Sequence, residues 1–142
     1  MSDLRATVLD SDAFSLLFVR RDAADSRIAG WRELLAGRRV LISFQTRAEL
    51  LAGAMFRGWG ERRTIELRTI LDRTPMIGVD DEVIDAHATL YAECRQRGHA
   101  LHTKENTADR WVAACAMAKS APLLAGDGIY QGAPGLSLLM EG

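Results

Sequence analysis

Short apolar runs alternate with helix-patterned stretches from one end of this sequence to the other, and that alternation constrains the fold more than any other feature. Thr7-Val8-Leu9 is an apolar run that stops at Asp10 and reads as a buried strand. A helical stretch follows, then a second whose stripe runs Ala24, Ile28, Trp31, Leu35. Val40-Leu41-Ile42-Ser43-Phe44 is the clearest strand, and it leads straight into a helix carrying Leu50, Leu51, Ala54 and Met55. Gly58 and Gly60 interrupt that helix, and another runs to about Arg73, ahead of Pro75. Met76 to Val79 predicts a brief strand. The next helix carries Val83, His87, Leu90 and Cys94 on one face and ends at Gly98. A polar loop, His99 to Asn106, precedes a helix over Ala108 to Lys119. Leu123-Leu124-Ala125 is a strand broken at Gly126-Asp127-Gly128, and Leu136 to Met140 is a final one. Strands this short and apolar, each separated from the next by a helix, imply a parallel sheet covered on both faces. The expected fold is α/β: one three-layer α/β/α sandwich over residues 1–142, with a short, mainly parallel sheet.

Composition narrows the class. With 48% hydrophobic residues and a net charge of −1, dominant disorder is excluded. No stretch approaches the ~20 apolar residues of a membrane span, and the opening Met1-Ser2-Asp3-Leu4-Arg5 has no signal-peptide pattern. Cys94 and Cys115 lie in separate helical patterns, which points to reduced thiols and a cytoplasmic protein.

The acidic residues fall where a parallel sheet places its chemistry. Ligands of open α/β sheets bind outside the carboxyl ends of the strands. Asp10 and Asp12 follow the first strand, Glu49 lies about one turn into the helix after the second, and Asp127 follows the late strand. Asp109 opens the apolar helix Trp111 to Ala118, where the helix dipole favours a carboxylate. Each has a plain structural reading, as a cap, a turn residue or a surface ion pair. Together they would collect on one edge of the sheet. Two carboxylates 4 Å apart repel by about 1 kcal/mol in water and about 4 at an effective dielectric of 20, so such a cluster calls for a cation. Oxygen ligands without a His or Cys set point to Mg²⁺ or Mn²⁺.

Charge is unevenly spread. Through residue 71 there are 12 basic against 9 acidic residues, and Arg57, Arg62, Arg63, Arg68 and Arg73 crowd one segment. Arginine's planar fork suits phosphate, while a solvated helix face is the plainer reading. Trp59 either stacks on a base or packs under its loop, with packing favoured. His99 and His102 lack zinc partners and read as loop histidines. His87, on an apolar face, reads as a satisfied core histidine.

Four segments together resemble PIN domains, specifically the VapC-type toxins of bacterial toxin–antitoxin pairs: Val8-Leu9-Asp10-Ser11-Asp12-Ala13-Phe14-Ser15, Ile42 to Leu50, Asp109-Arg110-Trp111-Val112-Ala113-Ala114-Cys115-Ala116, and Pro122 to Asp127. The ending Gly132-Ala133-Pro134-Gly135-Leu136 also fits, so the likeness spans essentially the whole chain. The resemblance implies a Mg²⁺-dependent endoribonuclease, with Mn²⁺ able to substitute. Its acidic residues map onto Asp10, Glu49, Asp109 and Asp127, as catalytic residues and metal ligands, with Asp12 as a supporting polar group. Arg57, Arg62 and Arg63 would bind RNA, a tRNA or rRNA loop. Two positions depart from the family's usual pattern: Ala125 replaces a hydroxyl residue, and Ile129-Tyr130 replaces an acidic-aromatic pair. The likeness also implies a VapB-like antitoxin and a homodimer. The hairpin from Thr46 to about Arg73, with Leu50, Leu51, Met55, Phe56, Ile65, Ile70 and Leu71, would receive the antitoxin in a groove opened at Gly58-Trp59-Gly60.

Two other classes compete. Asp10-Ser11-Asp12 also resembles the nucleophile loop of haloacid-dehalogenase-like phosphatases, with Ser43, Lys104 and Gly126-Asp127-Gly128 as the remaining loops. That scheme leaves Glu49 and Asp109 unused. A catalytically inactive PIN-like module that binds RNA or protein is the non-enzyme alternative, and the intact acidic set argues against it.

Overall fold

The computed structural model describes residues 5–20 and 22–140. Among these residues four strands, β1 (Ala6–Leu9), β2 (Arg39–Ser43), β3 (Met76–Ile77) and β4 (Leu123–Leu124), form one sheet in the order β3-β2-β1-β4. Every pairing is parallel, with Val8 opposite both Leu41 and Leu123. Residues from 6 to 9 are all buried, as a central strand covered on both faces must be. The helices are α1 (Ser11–Phe14), α2 (Ile28–Leu35), α3 (Phe44–Phe56), α4 (Glu61–Asp72), α5 (Asp81–Arg97) and α6 (Thr107–Ala118).

Two apolar clusters lie on opposite faces of the sheet. One joins Val8, Leu41 and Leu123 to Val83, Leu90 and Cys94 of α5 and the buried face of α6. The other joins Leu9, Ile42 and Leu124 to Phe14, Trp31, Leu67 and Leu71. Adjacent strand residues point to opposite faces, so Val8 serves one cluster and Leu9 the other. This is the three-layer architecture expected from the sequence. Cys94 and Cys115 are free and buried. Among the described residues no helix is long and apolar enough to cross a membrane.

Several boundaries differ from expectation. Phe44 begins α3 instead of ending β2, because the Ser43 hydroxyl caps the helix by accepting the Thr46 N–H at 3.0 Å. The first helix opens into a π-helical turn over Ser15–Val19, closed by Arg20 N–H to Ser15 O at 2.8 Å. The polar loop holds two 3₁₀ turns, Ala100–His102 and Lys104–Asn106. The final strand is reduced to one parallel bridge, Leu123 to Leu138.

Candidate metal and nuclease site

β1 delivers Asp10 to the carboxyl edge of the sheet, where it caps α1 by accepting the Ala13 N–H at 2.8 Å. The loop after β4 adds two further donors: Gly126 N–H at 3.0 Å to either oxygen and Asp127 N–H at 3.2 Å. With only 3% exposure, Asp10 is pushed up to about 6 by burial, against the pull of those amides, and the nearby Asp12 adds to the rise. Any larger residue at Gly126 would have to displace the half-exposed Asp12 side chain. A Cβ at that position would collide with the Asp12 carboxylate.

Glu49 projects from α3 and is held from two sides. Gln45 Nε2 donates to its Oε1 at 3.1 Å, and Ser11 Oγ donates to its Oε2 at 2.5 Å. Ser11 Oγ also lies 3.1 Å from Thr46 Oγ1, which lies 3.2 Å from Ser43 Oγ. Each hydroxyl has one proton to give. A consistent chain therefore runs from Ser43 to Thr46 to Ser11 and ends on the Glu49 carboxylate.

Asp109 sits in the first turn of α6 and accepts the Tyr130 hydroxyl at 3.2 Å. Burial raises its carboxyl above the ordinary range, the Tyr130 bond opposes that, and the charges of Asp127 and Glu49 add to the rise. Asp127 is exposed and caps the 3₁₀ turn Gly128–Tyr130, its Oδ1 accepting the Ile129 N–H at 3.0 Å. Asp12 is half-exposed, 3.8 Å from Arg27. Arg27 forks onto Asp25 at 2.8 and 3.0 Å and donates to Gly126 O at 2.7 Å, so it ties the α2 approach to the loop that holds Asp10.

The five acids therefore share one edge of the sheet. Asp109 feels Asp127 and Glu49, and Asp10 feels Asp12. Among the described residues no three His, Cys, Asp or Glu side chains form a ready ligand set as they stand. The fit to a cation is one of donor chemistry: carboxylates and hydroxyls, with no thiol or imidazole among them, suit a hard divalent ion.

A groove of about 520 Å³ runs from Ser11, Asp12 and Glu49 to Arg20, Arg57, Trp59 and Arg63. Arg63 lies over the Trp59 ring at 3.7 Å. Arg62 lies off this groove, 95% exposed and 3.7 Å from Glu66. Beside it a more apolar cleft of about 350 Å³ is lined by Phe18, Val19, Trp59, Ile65 and Ile70. Leu71, expected on that receiving surface, is fully buried under the sheet, whereas Met55 and Phe56 are strongly exposed. Sequence reasoning missed Arg20, Arg27, Ser11, Thr46 and Tyr130 as parts of this edge. Ser11 and Thr46 lie within the family-like segments and Tyr130 follows the Gly-Asp-Gly turn, whereas Arg20 and Arg27 carried no signal. His87 is not the satisfied core histidine expected: among the described residues its buried Nε2 has no hydrogen-bond partner, and its ring stacks on Trp111 at 3.9 Å.

The family model described as PIN domain matches residues 7–134. No curated protein matches the sequence. Among solved structures, the chain is similar to VapBC2 from Rickettsia felis bound to a DNA fragment from its promoter (TM-score 0.73, 21% identity, 94% of this chain and 96% of that one). It is similar to FitAcB from Neisseria gonorrhoeae (TM-score 0.71, 20% identity, 94% and 96%). It is also similar to VapC20 of Mycobacterium tuberculosis, described as a sarcin–ricin loop cleaving toxin (TM-score 0.62, 16% identity, 94% and 99%). The phosphatase alternative falls with this match, and Ser43 is committed to capping α3 while Lys104 is exposed. With 128 of its 142 residues matched (7 through 134), the chain belongs to the PIN domain family.

Proposed function

We propose that this protein is a Mg²⁺-dependent endoribonuclease that acts as the toxin of a toxin–antitoxin pair in the cytoplasm. The observation that carries the reading is Asp10: a carboxylate kept at 3% exposure, gripped by three backbone amides and set at the same sheet edge as Glu49, Asp109 and Asp127. Burying a charge this way is costly unless something compensates it. Mg²⁺ or Mn²⁺ would be held by Asp10, Asp109, Glu49 and Asp127. When bound, such an ion lowers the pKa of a coordinated water and offsets charge on a phosphodiester.

The chain's own groups do the positioning. The Ser43-Thr46-Ser11 hydroxyls fix Glu49, which orients the attacking water. Arg57 and Arg63, with Arg20, grip the RNA backbone along the groove, and Trp59 offers a stacking face. Arg62, at the outer face of α4, makes a peripheral contact. The products carry a 5′-phosphate and a 3′-hydroxyl, and the substrate is a tRNA or rRNA loop.

Two of these neighbours are the VapBC2 and FitAcB assemblies, which supports a VapB-like antitoxin and a homodimer for this chain. The cleft lined by Phe18, Ile65 and Ile70 suits an amphipathic antitoxin helix. The test is expression in a bacterial host. Wild type should arrest growth, Asp109→Asn should not, and co-expression of the adjacent gene's product should restore growth. Equal arrest by both chains would sink the reading.

A further inference from the structure

Tyr130 is 1% exposed, and its ring belongs to the apolar cluster that includes Val8, Leu101 and Ala113. A ring so enclosed cannot swing away, and its hydroxyl reaches the sheet edge at one point, donating to Asp109 Oδ1 at 3.2 Å. The residue follows directly from Asp127 through the turn that the Asp127 side chain caps. One short segment thus presents an amide to Asp10, a carboxylate to the cluster and a phenol to Asp109.

The backbone of Asp109 is fixed separately. Arg110, 3% exposed, donates to Leu101 O and Thr103 O at 2.7 Å and to Thr107 Oγ1 at 3.1 Å, pinning the first turn of α6 to the preceding loop. That leaves the Asp109 side-chain torsions, and Tyr130 is the residue bonded to that carboxylate among those described. An ionised carboxylate can only accept, so in this bond the phenol is the donor.

We infer that Tyr130 is a positioning residue for the metal site, its hydroxyl occupying one oxygen of Asp109 so that the other is held toward a divalent cation. Outer partners that orient a ligand typically carry ten- to a hundredfold of metal affinity. The inference rests on the metal reading proposed above. A purely structural phenol, merely satisfying its own hydroxyl, would affect folding stability and leave metal affinity alone.

The experiment is calorimetric titration of Mn²⁺ into wild type and Tyr130→Phe, with melting of both in EDTA. Tyr130→Phe should bind Mn²⁺ about tenfold more weakly and melt in EDTA within a few degrees of wild type. Affinity within about twofold of wild type overturns the inference while sparing the metal site; absence of Mn²⁺ binding by wild type overturns both. A second readout needs no change at position 130. The chain has 2 tyrosines, and Mg²⁺ binding should perturb near-ultraviolet tyrosine absorption in wild type and in Tyr91→Phe alike. Binding with no such perturbation also overturns the inference.

Discussion

The Asp10 carboxylate and the Gly126 backbone amide meet at 3.0 Å across 116 residues of sequence, and this bond ties the ends of β1 and β4 together. It also confines the charge of Asp10 to a site that water barely reaches. A carboxylate buried this way makes the metal-free protein sensitive to pH.

Folded Asp10 releases its proton at about 6 and the unfolded residue near 3.8, so the folded state binds that proton more tightly. The stability linked to this group is therefore fully present below pH 3.8, is lost as pH rises toward about 6, and is flat above that. The span corresponds to up to about 3 kcal/mol. Denaturation in EDTA at about pH 5 and about pH 8 should show wild type losing stability relative to Asp10→Asn as pH rises. A difference that does not change with pH would place Asp10 in a wetter setting than its burial implies. Asn keeps one acceptor oxygen and turns an NH₂ toward amides that also donate, so its gain at high pH should fall short of the full figure.

Metal should restore what burial removes. A cation that binds only the folded protein at a hundredfold above its dissociation constant adds about 2.7 kcal/mol. Mg²⁺ or Mn²⁺ should raise the wild-type melting temperature and leave Asp109→Asn nearly unmoved. Equal shifts in the two proteins would locate the cation elsewhere.

The groove separates arginines that sequence spacing could not. Arg57→Ala and Arg63→Ala should each weaken RNA binding and flatten its salt dependence by roughly 0.7 log units per lost single-strand phosphate contact. Arg62→Ala should change the slope far less, since that side chain is 95% exposed and off the groove. Salt titrations of RNA binding by the three variants decide this. A larger effect at Arg62 would move the RNA path to the outer face of α4.

The apolar cleft predicts the antitoxin contact. Phe18→Asp and Ile65→Asp place a charge in it at half-exposed positions, so the fold should survive and co-purification with the antitoxin should fail. Met55→Asp lies outside that lining and should bind as wild type does. Binding unchanged in Phe18→Asp and Ile65→Asp would empty the cleft of this role.

What was legible in the sequence was local. Asp10, Glu49, Asp109 and Asp127 could be placed on one edge because each stands next to the end of a strand or the start of a helix, and parallel topology brings those ends together. The hydroxyl chain from Ser43 through Thr46 to Ser11 was not legible, since Ser11 and Glu49 stand 38 residues apart and no periodicity links them. Arg27 was hidden for the same reason, reaching Gly126 across 99 residues. The β4 strand is shorter than its apolar run because Gly126 gives its N–H to Asp10 and not to a neighbouring strand. The π-helical turn at Ser15–Val19, which leaves Phe18 at the cleft, has no mark in the apolar pattern.

The central claim is that these acids cut RNA with the help of a divalent cation, and cleavage of total RNA tests it most directly. Purified wild type, freed of antitoxin, should cut a discrete tRNA or rRNA loop in Mg²⁺ and stop in EDTA, and sequencing should find 5′-phosphate ends. Asp109→Asn, folded and incubated alongside, should leave that RNA whole. Cleavage that persists in EDTA, or that Asp109→Asn performs as well as wild type, would contradict the account.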